Sequence, residues 1–300
     1  MECVKDAISY YYNLNIDVLS ECDGFSYFIY KGFKYYYLLF DRSEEELVYL
    51  VNITNKMYEK NKDIYTFIVA NNGKFYSEFS NKKYVLLRIN SISFLDCITI
   101  SDILLFNSSF ADSKVLISPW TDNWKHKVDE FEELMNDIGD DYPLIQESCD
   151  YYIGLAENAI SYFNDCYEMN SHPTLVVSHH SLKVDEFYNP LNFMMDYETR
   201  DLSMYVYDKF YMYCDIYDEL EGLFKKRYYS SQSICFMIAW LMFPARYFNL
   251  CNDIIKSDKS ETLLKELLNR RGEYQRYLGH LFHLVSKYYN INKVGWLCDI

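Results

Sequence analysis

Two short apolar runs, separated by a polar loop, constrain this chain more than any other stretch of it. The first run, Leu175 to Val177, ends at the neighbouring residues His179 and His180. The second, Leu191 to Met195, is followed by Asp196. Short apolar runs bounded by turn signals are typical of buried strands. We therefore expect two strands whose ends carry imidazole and carboxylate groups, the side chains that most often transfer protons or bind ions.

The amino-terminal part of the chain has the pattern of an antiparallel sheet. Residues 25–30 and 33–40 are rich in aromatic and β-branched residues and are separated by Lys31-Gly32, which predicts a tight turn between two strands. Ser43 and Glu46 form the sequence signature of a capping box, so a helix should run from Ser43 to about Tyr58.

Three more strands are predicted after this helix, at 64–70, 74–79 and 83–89. Asn72-Gly73 favours a hairpin between the first two of them. The order of strand, strand, helix and three strands indicates an antiparallel sheet that carries one helix.

From about residue 91 the apolar residues recur at helical spacing. Apolar positions from Ile145 to Tyr167 follow steps of three and four, which predicts one long amphipathic helix. Further helices are predicted at 202–223, 231–255 and 261–289. The chain is thus expected to be an α+β protein with a small lobe at 1–90 and a large helical lobe at 91–300.

Three stretches together resemble a known family. They are FSYFIYKGFKYYYLLFDRSEEEL (25–47), YNPLNFMMDYETRDLSMY (188–205) and LMFPARYFN (241–249). With the order of helices between them, they are similar to the CotS- and YutH-like proteins associated with the spore coat of endospore-forming bacteria. These proteins belong to the aminoglycoside phosphotransferase and choline kinase branch of the protein-kinase-like superfamily. The resemblance implies a two-lobed kinase-like fold over nearly the whole chain.

The same resemblance implies that the catalytic loop is degenerate. In the active members of that branch an His-Gly-Asp loop supplies the catalytic Asp, an Asn about five residues later binds metal, and an Asp after the next strand binds a second metal. Here the loop reads His179, His180, Ser181, so Ser181 stands in the place of the catalytic Asp. Asp196 matches the metal-binding Asp, but one carboxylate alone holds Mg²⁺ weakly. Asn189 and Asn192 lie too close to Asp196 to match the Asn ligand without a deletion.

The His pair can be interpreted in three ways. It is a remnant of the catalytic loop, a metal pair, or a pair of ordinary polar residues at a strand end, and His180 could also act as a base. Adjacent residues on an extended segment point to opposite sides, which disfavours chelation of one ion. His280 and His283 have helical metal-ligand spacing but no obvious third ligand.

Other parts of a phosphotransferase site are weak or missing. Lys34 is the only candidate for the phosphate-holding Lys, and Gly32 is alone in the first turn, whereas a phosphate-cradling loop is usually rich in Gly. Glu44, Glu45 and Glu46 are as well explained by favourable interaction with a helix amino terminus.

Arg200-Asp201-Leu202 resembles the start of the helix after the metal-binding segment of this fold. Thr199 is expected to cap that helix, with Asp201 in its first turn. Arg200 is the cation nearest to Asp196 in sequence and is expected to neutralise it, and Asp196 is expected to face the cleft between the lobes. Asp196 and Arg200 are therefore the candidate cofactor-binding residues.

Composition excludes some partners. A net charge of −15 disfavours nucleic acid and anionic lipid surfaces. Nine cysteines without C-x-x-C spacing fit reduced thiols in the cytosol. The amino terminus lacks the pattern of a secretory signal, and the apolar stretch from Ile234 to Ala245 is shorter than the roughly twenty residues of a membrane span, so it is predicted to be a buried helix.

The sequence favours a catalytically degenerate kinase-like protein, a pseudokinase, that acts by binding. The resemblance implies a role in spore coat assembly or association, a cytoplasmic or spore coat location, and other spore-coat or cytosolic proteins as partners. The alternative is an active small-molecule phosphotransferase of the aminoglycoside or choline kinase type with a rearranged site, and only this alternative requires ATP and Mg²⁺. A third hypothesis is an unrelated α+β structural protein with the same order of elements.

Overall fold

The computed structural model describes residues 4–22, 25–89, 95–108, 120–137, 141–167 and 174–298. The chain forms two compact units. The first consists of residues 1–110 and 179–194, and the second of residues 111–178 and 195–300. The sequence analysis placed a single lobe boundary near residue 90. The two units are divided differently, because the loop after His179 belongs to the first unit.

The first unit is built on an antiparallel six-stranded sheet. The strands lie in the order β1-β2-β3-β6-β4, and β5 also pairs with β6. The Lys31-Gly32 turn joins β2 to β3, and both residues have positive φ. Gly32 adopts this conformation without strain because it has no side chain. The strands are β1 (Ser20–Cys22), β2 (Phe25–Tyr30), β3 (Phe33–Phe40), β4 (Thr66–Phe67), β5 (Ser77–Phe79) and β6 (Lys82–Ile89).

Two features of this sheet differ from the prediction. β4 and β5 do not pair with each other across Asn72-Gly73; each pairs with β6 instead. Gly73 still forms a turn, in which its amide donates to the Ala70 carbonyl. β1 was not predicted, because a strand of three residues is too short to show a period.

Among the described residues, three helices belong to the first unit. They are α1 (Val4–Tyr12), α2 (Glu44–Lys60) and α3 (Ile100–Ser108). Ile8 and Tyr12 of α1 pack in one core cluster with Phe28 and Tyr37 of the sheet, although the sequence analysis predicted only one helix in this region. α2 contacts β4, and the Ser43 side chain accepts from the Glu46 amide, so the predicted cap is confirmed. The Glu46 carboxylate binds Arg42.

The second unit is mainly helical. Its helices are α4 (Trp120–Asp137), α5 (Pro143–Tyr167), α6 (Arg200–Tyr211), α7 (Tyr217–Lys225), α8 (Ser231–Met242), α9 (Ala245–Lys256), α10 (Lys265–Asn269), α11 (Arg271–Ser286) and α12 (Gly295–Cys298). α5 confirms the long amphipathic helix. The single helices predicted at 202–223 and 231–255 are each two helices. Pro244 lies at the second break, where it cannot donate the amide hydrogen bond that a continuous helix needs.

β7 (Leu175–His179) and β8 (Phe193–Tyr197) form a separate two-stranded sheet. The second strand begins two residues later than predicted, because Pro190–Asn192 forms a 3₁₀ turn. Asp196 therefore lies inside β8 and not after it.

The apolar segment in α8 is buried, as predicted, and Ile238 is fully inaccessible. Among the described residues, Ser231–Lys256 is long and apolar enough to cross a membrane by length and composition, with a mean hydropathy of 1.4. In its most apolar window 67% of the residues are buried inside the protein. The core helix of a soluble protein passes the same test, so the stretch is weak evidence for a membrane span.

Candidate functional site

The His179-His180 pair belongs to the first unit and has one buried and one exposed member. His179 is fully buried, its Nε2 lies 2.9 Å from the Phe187 carbonyl oxygen, and its ring stacks on the Phe187 ring with centroids 4.5 Å apart. His180 is exposed, and its amide donates to the Asn192 carbonyl. Opposite orientations are what an extended segment imposes on neighbours. No group of three or more His, Cys, Asp or Glu suited to a metal ion occurs in the part of the chain that the structure describes.

Asn192 closes the loop after the His pair. Its Oδ1 accepts from the Ser181 amide at 3.0 Å, and its Nδ2 donates to the Ser181 carbonyl at 2.8 Å. The Ser181 hydroxyl donates to Glu186 at 3.4 Å. Asn189 accepts from the Leu191 amide and caps the 3₁₀ turn. Both Asn side chains thus form hydrogen bonds with the loop backbone.

Lys34, the candidate phosphate-holding residue, lies between aromatic rings. Its Nζ is 4.7 Å from the Tyr27 ring centroid and 4.8 Å from that of Tyr36, which are cation–π distances. The first Glu of α2, Glu44, instead accepts from Lys83 at 2.8 Å and from the Tyr76 hydroxyl at 2.7 Å. The hydrogen bond from Lys83, followed by that from Tyr76, lowers the pKa of Glu44.

Arg42 holds Glu46, another of the three helix carboxylates that the sequence analysis named at this end. Its Nη1 lies 3.0 Å from Glu46 Oε1, and its Nη2 donates to the Leu191 carbonyl at 2.6 Å. Sequence analysis missed both Arg42 and Lys83. Arg42 and Glu46 are four residues apart, so their ion pair could have been predicted from the local sequence. The contact with Leu191 has no local signal.

Asp196 lies in the second unit and is only 2% exposed. Its Oδ1 accepts from Trp120 Nε1 at 2.6 Å and from the Tyr197 amide at 2.7 Å, and its Oδ2 lies 2.9 Å from Arg200 Nη1. Burial raises the pKa of Asp196, while the Arg200 charge opposes that rise. The expected neutralisation by Arg200 is therefore present, whereas the position of Asp196 at a cleft stays a prediction.

This set of donors does not suit a divalent cation. Mg²⁺ needs oxygen ligands in octahedral geometry, but both Asp196 oxygens face N–H groups. A metal ion at Asp196 would also be repelled by the positive charge of the Arg200 guanidinium, which lies 2.9 Å from Oδ2. No local pattern pointed to Trp120, because it lies 76 residues before Asp196 at the start of another helix.

The start of α6 is fixed by contacts with α8. The predicted Thr199 cap is absent: its side chain makes no cap hydrogen bond, and its hydroxyl donates to the Ser233 carbonyl at 3.0 Å. The Ser233 hydroxyl donates to the Glu198 carboxylate. Burial raises the pKa of Glu198, and the Ser233 hydrogen bond partly opposes this. Asp201 is fully buried in the first turn of α6.

His280 and His283 are both exposed on α11. Across the described ranges of the chain, no third metal ligand accompanies them. Their helical spacing is explained by their place on the solvent face of an amphipathic helix.

The fold is that of the protein-kinase-like phosphotransferases. An aminoglycoside phosphotransferase from Alicyclobacillus acidocaldarius is similar to this chain with a TM-score of 0.67, over 94% of this chain and 96% of that one, at 12% sequence identity. At so low an identity the likeness shows the fold alone.

The family model described as "Spore coat putative kinase YutH" matches residues 5–281. The chain therefore belongs to the YutH family of kinase-like spore coat proteins. A curated relative, the endospore coat-associated protein YutH of Bacillus subtilis, is 25% identical over an alignment 210 residues long that covers 60% of this chain. The match spans 62% of the length of that relative.

Proposed function

We propose that this protein is a catalytically degenerate kinase that acts by binding and takes part in the assembly of the endospore coat or associates with it. The main observation that supports the proposed loss of catalysis is the set of hydrogen-bond donors around Asp196. A carboxylate that accepts from Trp120, Tyr197 and Arg200 already has a hydrogen-bond donor on each oxygen and a guanidinium charge beside it, and both weaken its attraction for a metal ion.

Three further features support the proposal. Ser181 replaces the carboxylate that orients the attacking hydroxyl, and a serine hydroxyl is too weak a base for this role at neutral pH. Lys34 is held by two tyrosines, and Glu44 is paired with Lys83, so the Lys–Glu pair that positions nucleotide phosphates is not formed by these residues. Phosphoryl transfer depends on charged groups that are held in position, and the groups expected at Ser181, Lys34 and Glu44 are each replaced or held in other contacts.

Membership of the family supports the place of action. The relative in Bacillus subtilis is named as coat-associated, and we propose that this chain is made in the cytosol and reaches the coat through contacts with other coat or cytosolic proteins. A net charge of −15 favours protein partners with basic surfaces over nucleic acid.

The test of lost catalysis is a phosphate-transfer assay with Mg²⁺ and ATP, using amino sugars, choline and homoserine as acceptors. We expect no turnover from the unmodified protein, and none from Ser181→Asp, because Arg200 and Lys34 remain in their present contacts. A thermal-shift series with nucleotide and Mg²⁺ accompanies the assay. Turnover that disappears in Asp196→Ala would establish the active phosphotransferase instead.

A further inference from the structure

A groove between α4 and α9 of the second unit is lined mostly by charged and amide side chains. Its volume is about 340 Å³. The rings of Phe131 and Phe248 also line it, with centroids 4.9 Å apart, and are only 3% and 2% exposed. Neither Asp196 nor any of its three donors lines the groove. The groove is therefore separate from the altered phosphotransferase site.

Lys127 of α4 places a half-buried ammonium group in this groove. The ammonium donates to the side-chain oxygen of Asn249 on α9, which is a neutral partner. Burial lowers the pKa of Lys127, and the charge of Glu130 opposes that effect. Glu130 is itself 3.4 Å from the exposed His126. A partly desolvated cation with a neutral partner is stabilised by an anionic ligand, because a charged acceptor forms a stronger hydrogen bond than a neutral one.

The lining carries charges of both signs at separate positions. Lys256 of α9 adds a second, exposed ammonium group, and Glu133 of α4 adds an exposed carboxylate. Glu133 follows Lys127 by six residues, which corresponds to about 9 Å along a helix axis at 1.5 Å per residue. Asn252 of α9 adds a half-buried amide, which can both donate to and accept from a peptide group. A ligand complementary to these groups carries a carboxylate and an ammonium group at opposite ends, with a polar link between them.

We propose that the groove binds a short peptide, about three residues long, with both termini free. The peptide carboxylate pairs with Lys127 and Lys256, and the peptide ammonium group pairs with Glu133. The central peptide group forms hydrogen bonds with Asn252. An extended chain spans about 3.3–3.6 Å per residue, so three residues reach about 10 Å, which matches the spacing of Lys127 and Glu133 along α4. Small side chains fit best, because the two buried rings leave little apolar surface to cover.

The test is isothermal titration calorimetry of the full chain with trialanine, without nucleotide or metal. We expect saturable binding with a Kd below about 1 mM. Alanine is too short to reach both ends of the groove, so it should bind at least about tenfold more weakly. N-acetyl-trialanine and trialanine amide each lack one terminal charge. Each should bind at least about tenfold more weakly than trialanine, because a charge-assisted hydrogen bond is lost.

Two variants identify the group that binds each end of the peptide. Lys127→Met should weaken trialanine binding but leave the affinity for trialanine amide unchanged, because that ligand has no carboxylate. Glu133→Gln should weaken trialanine binding but leave the affinity for N-acetyl-trialanine unchanged. Lys125→Met and Glu132→Gln are the matched controls, since both residues are exposed on α4 and do not line the groove. Both controls should bind trialanine as the unmodified protein does, and thermal unfolding shows that each variant is folded.

Three results would overturn the proposal. The first is the absence of saturable binding of trialanine to the unmodified protein. The second is equal affinity for trialanine and N-acetyl-trialanine, which would define a site for a carboxylate alone, or equal affinity for trialanine and alanine. The third is an equal loss of binding in Lys125→Met and Lys127→Met, which would show that only the overall charge of α4 matters.

Discussion

The carboxylate of Asp196 has two oxygens, and hydrogen-bond donors reach both of them. Its ion pair with Arg200 is nearly buried, with 2% of the Asp196 and 18% of the Arg200 side chain exposed. Removing one member of such a pair leaves an uncompensated charge in the interior, whereas removing both members avoids that cost. Loss of one member of this ion pair should therefore lower the free energy of unfolding by a measurable amount, whether or not a ligand is bound.

We expect Arg200→Met to lower the free energy of unfolding by about 3–5 kcal/mol, because the Asp196 charge loses its partner. The double variant Asp196→Asn/Arg200→Met should recover part of that loss. Urea unfolding of the four proteins of the cycle measures the coupling. Lys225→Ala, which breaks the exposed pair with Glu221, is the control and should change stability by no more than about 1 kcal/mol. Additive effects in the cycle would contradict the predicted coupling.

Glu198 gives a second test at this scale, through pH. Burial raises its folded pKa above the ordinary value of 4.5, so the folded protein favours the protonated form. The stability from this group is present below the unfolded pKa and is lost as pH rises through the folded pKa. Glu198→Gln does not titrate. Its stability relative to the unmodified protein should therefore increase as the pH rises from the ordinary value of 4.5 through the raised pKa of the folded state, as measured by urea unfolding at each pH. A constant difference would show that Glu198 is not perturbed.

At the scale of elements, local sequence patterns predicted those strands and helices that depend on interactions between neighbouring residues. β2 and β3 match the predicted bounds, because aromatic alternation and the Lys31-Gly32 turn act within a few residues. The pairing of β4 and β5 with β6 was not predictable from Asn72-Gly73, since a central strand that pairs with both offers more contact than one short hairpin. In α8, the run of apolar residues indicated a core helix, but the predicted helix continued to residue 255, whereas the helix ends at Met242, just before Pro244.

We expect Ile238→Lys in α8 to cost several kcal/mol or to prevent folding, because Ile238 is fully buried and an unpaired ammonium in an apolar interior is expensive. Ile29→Lys is a matched control, since it is the same substitution on β2 at a side chain that is 72% exposed. It should stay within about 0.5 kcal/mol of the unmodified protein. Circular dichroism during urea unfolding measures both variants. Equal stability of the two would refute the assignment of α8 to the core.

At the scale of the whole molecule, the order of elements and three motifs were enough to predict the kinase-like fold and the family. The state of the site was only partly predictable. Ser181 is visible in the sequence, but Trp120 and Lys83 reach Asp196 and Glu44 through the tertiary fold. These contacts with Asp196 and Glu44 therefore became apparent only when distant segments were brought together.

A protein that acts by binding needs its fold but not a metal-binding carboxylate. We therefore expect a tagged copy, expressed during sporulation in an endospore-forming host, to be recovered in the spore coat fraction. Asp196→Asn leaves Arg200 without its partner and so lowers stability, but relative to the amount that remains folded and soluble it should be recovered equally, because the neutral amide can still accept the Trp120 hydrogen bond while it lacks the negative charge of the carboxylate. Immunoblots of coat extracts, normalised to the amount of soluble protein before sporulation, provide the measurement.

The fold-disrupting Ile238→Lys variant is the control for this experiment and should be lost from the coat fraction, since Ile238 is fully buried. Asp196→Asn that is stable in solution but absent from the coat would show that the charged carboxylate has a function at the site. Recovery of Ile238→Lys together with the unmodified protein would show that the coat traps the chain without recognising its folded surface. Only retention of Asp196→Asn combined with loss of Ile238→Lys fits a protein whose folded surface, and not its chemistry, is what the coat requires.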